Sequence, residues 1–295
     1  MSLVERHLDR ALDNPPLVVV LDGWVDAGLG ATGAMAHLLG SGSTELLASF
    51  DTEQLVDYRS RRPVAKIVDG VTEQLGWPEI EMRLGRDMQG AEVCYLVGAE
   101  PDLRWRGFVN AVVGTAVDIG VRMAVGLGAF PAAAPHTRPV RLAATVPEGS
   151  VDLGRGVGII QGTIEVPSGI WGVLEQTFGD AGVPAVGLWA RVPHYVSTMP
   201  FPPASAALID GLAAVTGLTF DSGPLHAAAD ATLSQVDELI ARSTDHQEMV
   251  RQLESSIDAV EGNPLDIGQV PTGDELAAEL ERYLREHGSG PPGSD

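Results

Sequence analysis

Two carboxylates four residues apart, Asp22 and Asp26, follow the most apolar run of the chain, Leu17–Leu21 (LVVVL). In open α/β sheets, ligands collect where strand C-termini meet helix N-termini. The pair therefore falls where acid–base chemistry or cation binding could occur. The structural alternative is that Asp26 caps the helix that follows and Asp22 pairs with an arginine, and that reading is preferred. Directly after them, Gly28-Leu29-Gly30-Ala31-Thr32-Gly33 spells G-x-G-x-x-G, with Asp51 at the end of the next predicted strand. That is a dinucleotide-binding spacing, but two points count against it. The fingerprint needs its first glycine directly after the strand, and six residues, Asp22–Ala27, intervene here. A carboxylate at Asp26 would also occupy the free helix N–H groups and repel a pyrophosphate. Close packing of a helix on a sheet through small residues is the reading that remains.

Two histidines follow prolines in loops after predicted strands, in Pro135-His136-Thr137-Arg138-Pro139 and Pro193-His194-Tyr195. If they converge, they could supply a base, an anion contact or two metal ligands. Loop histidines more often bond to backbone, and no carboxylate spacing completes a metal set; no metal and no cofactor are expected. Ser168, in Val166-Pro167-Ser168-Gly169-Ile170, reads as a helix N-cap. A nucleophile elbow would need glycine where Val166 stands. Arg59-Ser60-Arg61-Arg62 is the densest basic cluster. It could receive a phosphate or carboxylate ligand, but bridging acidic groups within or between subunits is preferred. Cys94, the single cysteine, excludes an internal disulfide and a thiolate zinc cluster, and its buried strand makes it inert.

These residues must be positioned by an alternation of short apolar runs and helical stretches. Strands are predicted at 17–21, 45–50, 64–68, 79–84, 92–97, 122–127, 141–145 and 185–188. Helices are predicted at 28–39, 105–119, 170–178 and 204–215. Strands 64–68 and 79–84 alternate, so each should have one wetter face, and the short turn after the latter suits an antiparallel pair with 92–97. The pattern predicts an α/β fold, a mixed and mainly parallel sheet with helices on both faces. Residues 1–228 form the α/β core. Residues 229–287 are read as an acidic helical extension and 288–295 as a disordered tail. In the extension Leu233, Val236, Ile240, Val250, Leu253, Ile257 and Val260 describe an amphipathic helix or helical pair. Gly262-Asn263-Pro264 stops it, and a further helix carries Leu276, Leu280, Tyr283 and Leu284.

With 295 residues, 44% hydrophobic and 20% charged, the chain is expected to fold rather than remain disordered. Nineteen basic against 40 acidic residues give a net charge of −21, which argues against nucleic-acid and membrane-surface partners. No apolar run is long enough to span a membrane and the N-terminal stretch is no signal peptide, so the cytoplasm is the expected compartment.

Five segments carry a resemblance: GWVDAGLGAT, GAEPDLRWRGF, PHTRP, VPSGI and GLWARVPHYV. Together, in order from Leu17 to Val260, they resemble the proteasome assembly chaperone family, in its actinobacterial branch related to the second eukaryotic chaperone. The resemblance implies a core similar to the nucleoside-phosphorylase-like fold with a helical C-terminal addition. It implies a non-catalytic assembly factor that forms homo-oligomers, with a trimer as the expected size, and binds a protein client. The family pattern falls here on Trp24, Asp26, Gly28, Glu100, His136, Thr137, Ser168, His194 and Tyr195, which the sheet could gather as a ligand cleft or a subunit seam. Arg59, Arg61 and Arg62 are the candidate anion contacts. Family members that dock on the proteasome α-ring often end in hydrophobic-Tyr-X. This chain ends Pro-Gly-Ser-Asp, with Tyr283 internal, so docking in that form is not expected. The alternative is an enzyme or sensor for a small anion, nucleoside or nucleotide on a phosphorylase-like or ATP-grasp-like core. No convincing nucleotide loop accompanies that alternative, and Lys66 is the only lysine.

Overall fold

The computed structural model describes residues 2–8, 10, 12–23, 25–160 and 162–261. Its centre is the run Leu17–Leu21, and the position explains the composition. Leu17 and Val19 are buried on one face of the sheet and Val18 and Val20 on the other, so no position in the run can be polar. The elements in chain order are β1 (Val4–Arg6), β2 (Pro16–Asp22), α1 (Gly30–Gly40), β3 (Glu45–Phe50), α2 (Thr52–Leu55), β4 (Val64–Val68) and β5 (Val71–Gly76). Then come β6 (Ile80–Arg86), β7 (Glu92–Ala99), α3 (Trp105–Asp118), β8 (Met123–Ala132), β9 (Leu142–Thr145) and α4 (Val151–Arg155). The chain continues with α5 (Ile170–Asp180), β10 (Ala185–Pro193), α6 (Pro202–Thr216), α7 (Gly223–Ile240) and α8 (Thr244–Glu261).

Eight strands form one sheet in the order β1-β3-β6-β7-β2-β8-β10-β9. The four central strands, β7-β2-β8-β10, all run parallel, with Leu17 level with Cys94 on one side and Ala124 on the other. The flanking strands are antiparallel. Helices α3 and α5 bury Phe108, Val112, Leu174 and Phe178 against one face. Helices α1 and α6 bury Ala34, Leu38, Leu208 and Leu212 against the other. This is the mixed α/β sheet with helices on both faces that the alternation predicts. The residues that build the site belong to one compact unit, residues 1–160 with 168–254.

One element differs from the sequence reading. Residues 64–68 do not join the main sheet with one dry face. They pair with Val71–Gly76 as a separate two-stranded hairpin, and every residue of both strands is exposed. The alternation marked a strand but carried no information about what covers it. The extension is a pair of helices, α7 and α8, and α7 fixes itself to the core through buried Val236, with Leu233 and Ile240 beside it. The stop at 262–264, the helix around Tyr283 and the tail lie outside the described residues. Among the described residues, no helix is long and apolar enough to cross a membrane.

One backbone position sets up the site. Gly98, near the end of β7, has φ +120°, and a Cβ there would stand 2.0 Å from the carbonyl oxygen of Glu79. The close approach lets Ala99 N–H reach Glu79 O at 3.0 Å and Glu100 N–H reach Asp22 O at 2.8 Å, which steers Glu100 towards the end of β2. Gly98→Ala is expected to lower the unfolding free energy by about 3 kcal/mol, measured by urea denaturation.

Candidate functional site

Strand β2 leads into α1 on one face of the sheet, while its neighbour β7 leads into α3 on the opposite face. On the other side of β2, β8 continues through β9 and α4 to α5, again on the α3 face. Chains leaving adjacent parallel strands in opposite directions open a crevice at their C-terminal ends. A cleft of about 430 Å³ occupies this position. Its apolar lining comes from Val19, Leu21 and Leu127 and from two indoles, Trp171 at the start of α5 and Trp189 on β10. Glycines in β8 make room for both rings. A Cβ on Gly126 would stand 2.2 Å from Trp171, and one on Gly128 would stand 2.4 Å from Trp189.

The polar lining is acidic: Asp22, Asp26 and Glu100. Asp26 accepts the peptide N–H groups of Ala31 at 2.8 Å and Thr32 at 2.9 Å, so it caps α1 from the preceding loop. Glu100 is only 7% exposed, and its Oε1 accepts the N–H of Ile170 at 2.6 Å. That contact serves the first turn of α5 in place of Ser168. Gly169 holds the cap position, and the Ser168 hydroxyl donates to the carbonyl of Gly169 at 2.8 Å. Ser168 fits a cap by residue type, but the acceptor that fills the role comes from the loop after β7. Asp22 makes no carboxylate hydrogen bond among the described residues. Loss of water around it raises its pKa, Arg61 opposes this, and the charge of Asp26 adds to it.

Arg61 crosses Gly23, where a Cβ would stand 1.9 Å from the guanidinium. It donates to the carbonyl of Asp22 at 2.6 Å and faces Asp102 at 3.7 Å. It therefore bridges groups within the chain, and Arg59 and Arg62 are exposed beside it. The glycine motif serves packing. Gly28 exchanges backbone hydrogen bonds of 2.7 Å with Ser197 and Phe201. A Cβ on Gly30 would stand 3.0 Å from Ala129 and Ala204, and one on Gly33 2.5 Å from the Ser205 hydroxyl. Asp51 caps α2 by accepting Glu53 N–H at 3.1 Å.

The histidines lie elsewhere. His136 is 4% exposed. Its backbone N–H donates to the Tyr195 hydroxyl at 2.7 Å, and its Nδ1 lies 2.7 Å from the same oxygen. On the other side of the ring, Nε2–H donates to the Asp237 carboxylate at 2.9 Å. Burial, with the nearby charges of Glu254 and Asp237 adding, pushes the Tyr195 pKa up to about 12. Thr137 donates to Glu254 at 2.5 Å and Arg138 pairs with the same carboxylate at 3.3 Å. The loop thus fastens α7 and α8. His194 is exposed, its ring edge-on to Tyr195 at 5.3 Å.

The structure accordingly separates the candidates. Asp26 and Glu100 line the cleft, with Gly28 and Ser168 supporting its helices. His136, Thr137, His194 and Tyr195 form a second group with Asp237 and Glu254 and do not line it. Trp24 lies outside the described residues. Sequence reasoning missed Trp171 and Trp189; the signal for them was the alternating glycine of Ala124–Phe130 (AVGLGAF), which marks a strand face that large rings must fill. Among the described residues no group of three His, Cys, Asp or Glu side chains is arranged to hold a metal.

A sequence profile described as the PAC2 family matches residues 20–240. Among solved structures, a Corynebacterium glutamicum protein of unknown function is 31% identical with a TM-score of 0.82, over 88% of this chain and 97% of its own. A Mycobacterium tuberculosis proteasome-assembly chaperone homologue is 36% identical with a TM-score of 0.73, over 80% and 99%. A PAC2 family protein from Streptomyces avermitilis is 33% identical with a TM-score of 0.70, over 80% and 99%. No curated protein matches the chain.

Glu100→Ala removes the acceptor of a buried helix N–H and is expected to cost about 2 kcal/mol in urea unfolding. Asp22→Asn is expected to do the opposite, raising the melting temperature at pH 7. A carboxyl with a higher pKa folded than unfolded contributes stability that is present below its unfolded pKa and lost as pH rises through the folded one. The advantage of Asp22→Asn should therefore close in acid, below about pH 4, which melting curves across pH would show.

Proposed function

The chain belongs to the PAC2 family, and on that premise we propose that it is a non-catalytic, homo-oligomeric assembly factor that binds a protein client. The direction comes from the Mycobacterium tuberculosis relative described as a proteasome-assembly chaperone homologue. The observation that carries the reading is the β4–β5 hairpin. Val64, Ile67, Val71 and Leu75 are each at least half exposed, and a two-stranded hairpin is marginal in water without something to pack on. Its root is fixed: Trp77 meets Tyr58 edge-on at 4.9 Å, and the Tyr58 hydroxyl lies 3.0 Å from that of Thr52. The arm is therefore held out from the core with its apolar residues uncovered.

A second copy of the chain is the occupant we assign to that arm. The root of the hairpin holds Arg59 and Arg62, both exposed, in a chain of net charge −21, so this basic segment of one copy is complementary to the acidic remainder of another. A trimer is the expected size. A binding role is also supported by how the candidate catalytic groups are used: Asp26 and Glu100 hold helix ends, and both ring nitrogens of His136 are bonded.

Light scattering on the purified chain is expected to give an oligomer. Ile67→Asp combined with Val71→Asp should give a monomer with an unchanged melting temperature of the core. A monomeric parent, or a double variant that keeps the parent's mass, overturns the homo-oligomer. Pull-down from the native organism should recover a client in stoichiometric amount, and repeated recovery of none would sink the assembly role.

A further inference from the structure

We infer that the cleft between α1 and α5 binds a small organic cation, a primary ammonium group carried on an apolar body. The inference goes beyond the assembly role and holds whether or not the chain oligomerises. At about 430 Å³ the space is that of a small-molecule site. Its place at the topological switch point would ordinarily suit an anion, because two helix N-termini meet there. Both are already occupied by the protein's own carboxylates, Asp26 on α1 and Glu100 on α5. A phosphate or carboxylate ligand would have to displace them. Glu100 is buried, and losing the N–H of Ile170 would leave its charge without that partner.

What the cleft does offer is the reverse. The indoles of Trp171 and Trp189, with Val19, Leu21 and Leu127, give an apolar lining, and aromatic faces attract cations as well as apolar bodies. At the polar end, Asp22 carries a carboxylate with no hydrogen bond among the described residues, beside a second negative charge on Asp26. The cation near it among the described residues, Arg61, directs its hydrogen bond to the Asp22 carbonyl and shares its charge with Asp102. An ammonium group brings three donors to a carboxylate that receives none from the described residues. The net charge of −21 adds a long-range attraction for cations and a repulsion for anions.

The test uses the full chain, isothermal titration calorimetry and tryptophan fluorescence, with tryptamine and spermidine as amines. Indole-3-propionate and inorganic phosphate are the anionic counterparts. Tryptamine is expected to bind with Kd at or below about 1 mM and to change the tryptophan emission. Indole-3-propionate, with the same ring and the opposite charge, should bind at least about tenfold more weakly. Asp22→Asn should weaken tryptamine about tenfold while retaining the folded state. Trp189→Phe should weaken it less than Trp189→Ala, and remains informative if the alanine variant fails to fold. Equal or tighter binding of the anions, an amine affinity unchanged in Asp22→Asn, or no binding by either amine overturns the inference.

Discussion

A helix that begins in the interior must find acceptors for its first peptide N–H groups. In this protein that requirement is met across a cleft. Glu100, placed after β7, reaches the N-terminus of α5, and Asp26, in the loop after β2, reaches the N-terminus of α1. The two contacts hold the helices of opposite sheet faces at the C-terminal edge of the same parallel strands. They also settle the electrostatic sign of the crevice, since the positions where this topology usually receives an anion are filled from within. The geometry of β7 follows from the same requirement, because only a backbone that turns sharply at Gly98 brings Glu100 to that edge.

The remaining polar residues do comparable structural work at a second place. His136 and Tyr195 close a hydrogen-bonded group whose outer partners are carboxylates of α7 and α8, Asp237 and Glu254. Each ring nitrogen of the histidine has a partner, Nδ1 the Tyr195 hydroxyl and Nε2 the Asp237 carboxylate. The acidic extension is thereby attached to the core through named contacts as well as through Val236. Uncovered apolar surface is concentrated in the hairpin that projects from the β3–β6 connection, while the cleft presents aromatic rings and carboxylates. These are two surfaces of different chemistry, one suited to a protein face and one to a small molecule.

The comparison of sequence with structure divides along chain distance. The run Leu17–Leu21 declared a strand buried on both faces, because every position had to be apolar. Asp26 was legible as a helix cap because the N–H groups that donate to it lie five and six residues away. The packing role of Gly30 and Gly33 followed from the distance between the strand end and the first glycine. Ser168 misled because a suitable residue type stood in the right place while a stronger acceptor reached it from 70 residues away. The hairpin was half legible: alternation announced a strand, but a period of two is the same whether the second face meets a core, a partner or water.

The amino-acid sequence by itself thus determined the central strands, the alternation of elements, the sign of the charge and the local cap on α1. All of these depend on neighbours within a few residues or on composition. Only the tertiary structure decided that Glu100 holds α5, that His136 joins Asp237 from 101 residues away, and that Trp171 and Trp189 face one cleft. The reason is physical. A hydrogen bond or a ring contact is formed by atoms a few ångströms apart, and which distant residues come that close is set by strand order and crossover direction, which no local pattern encodes.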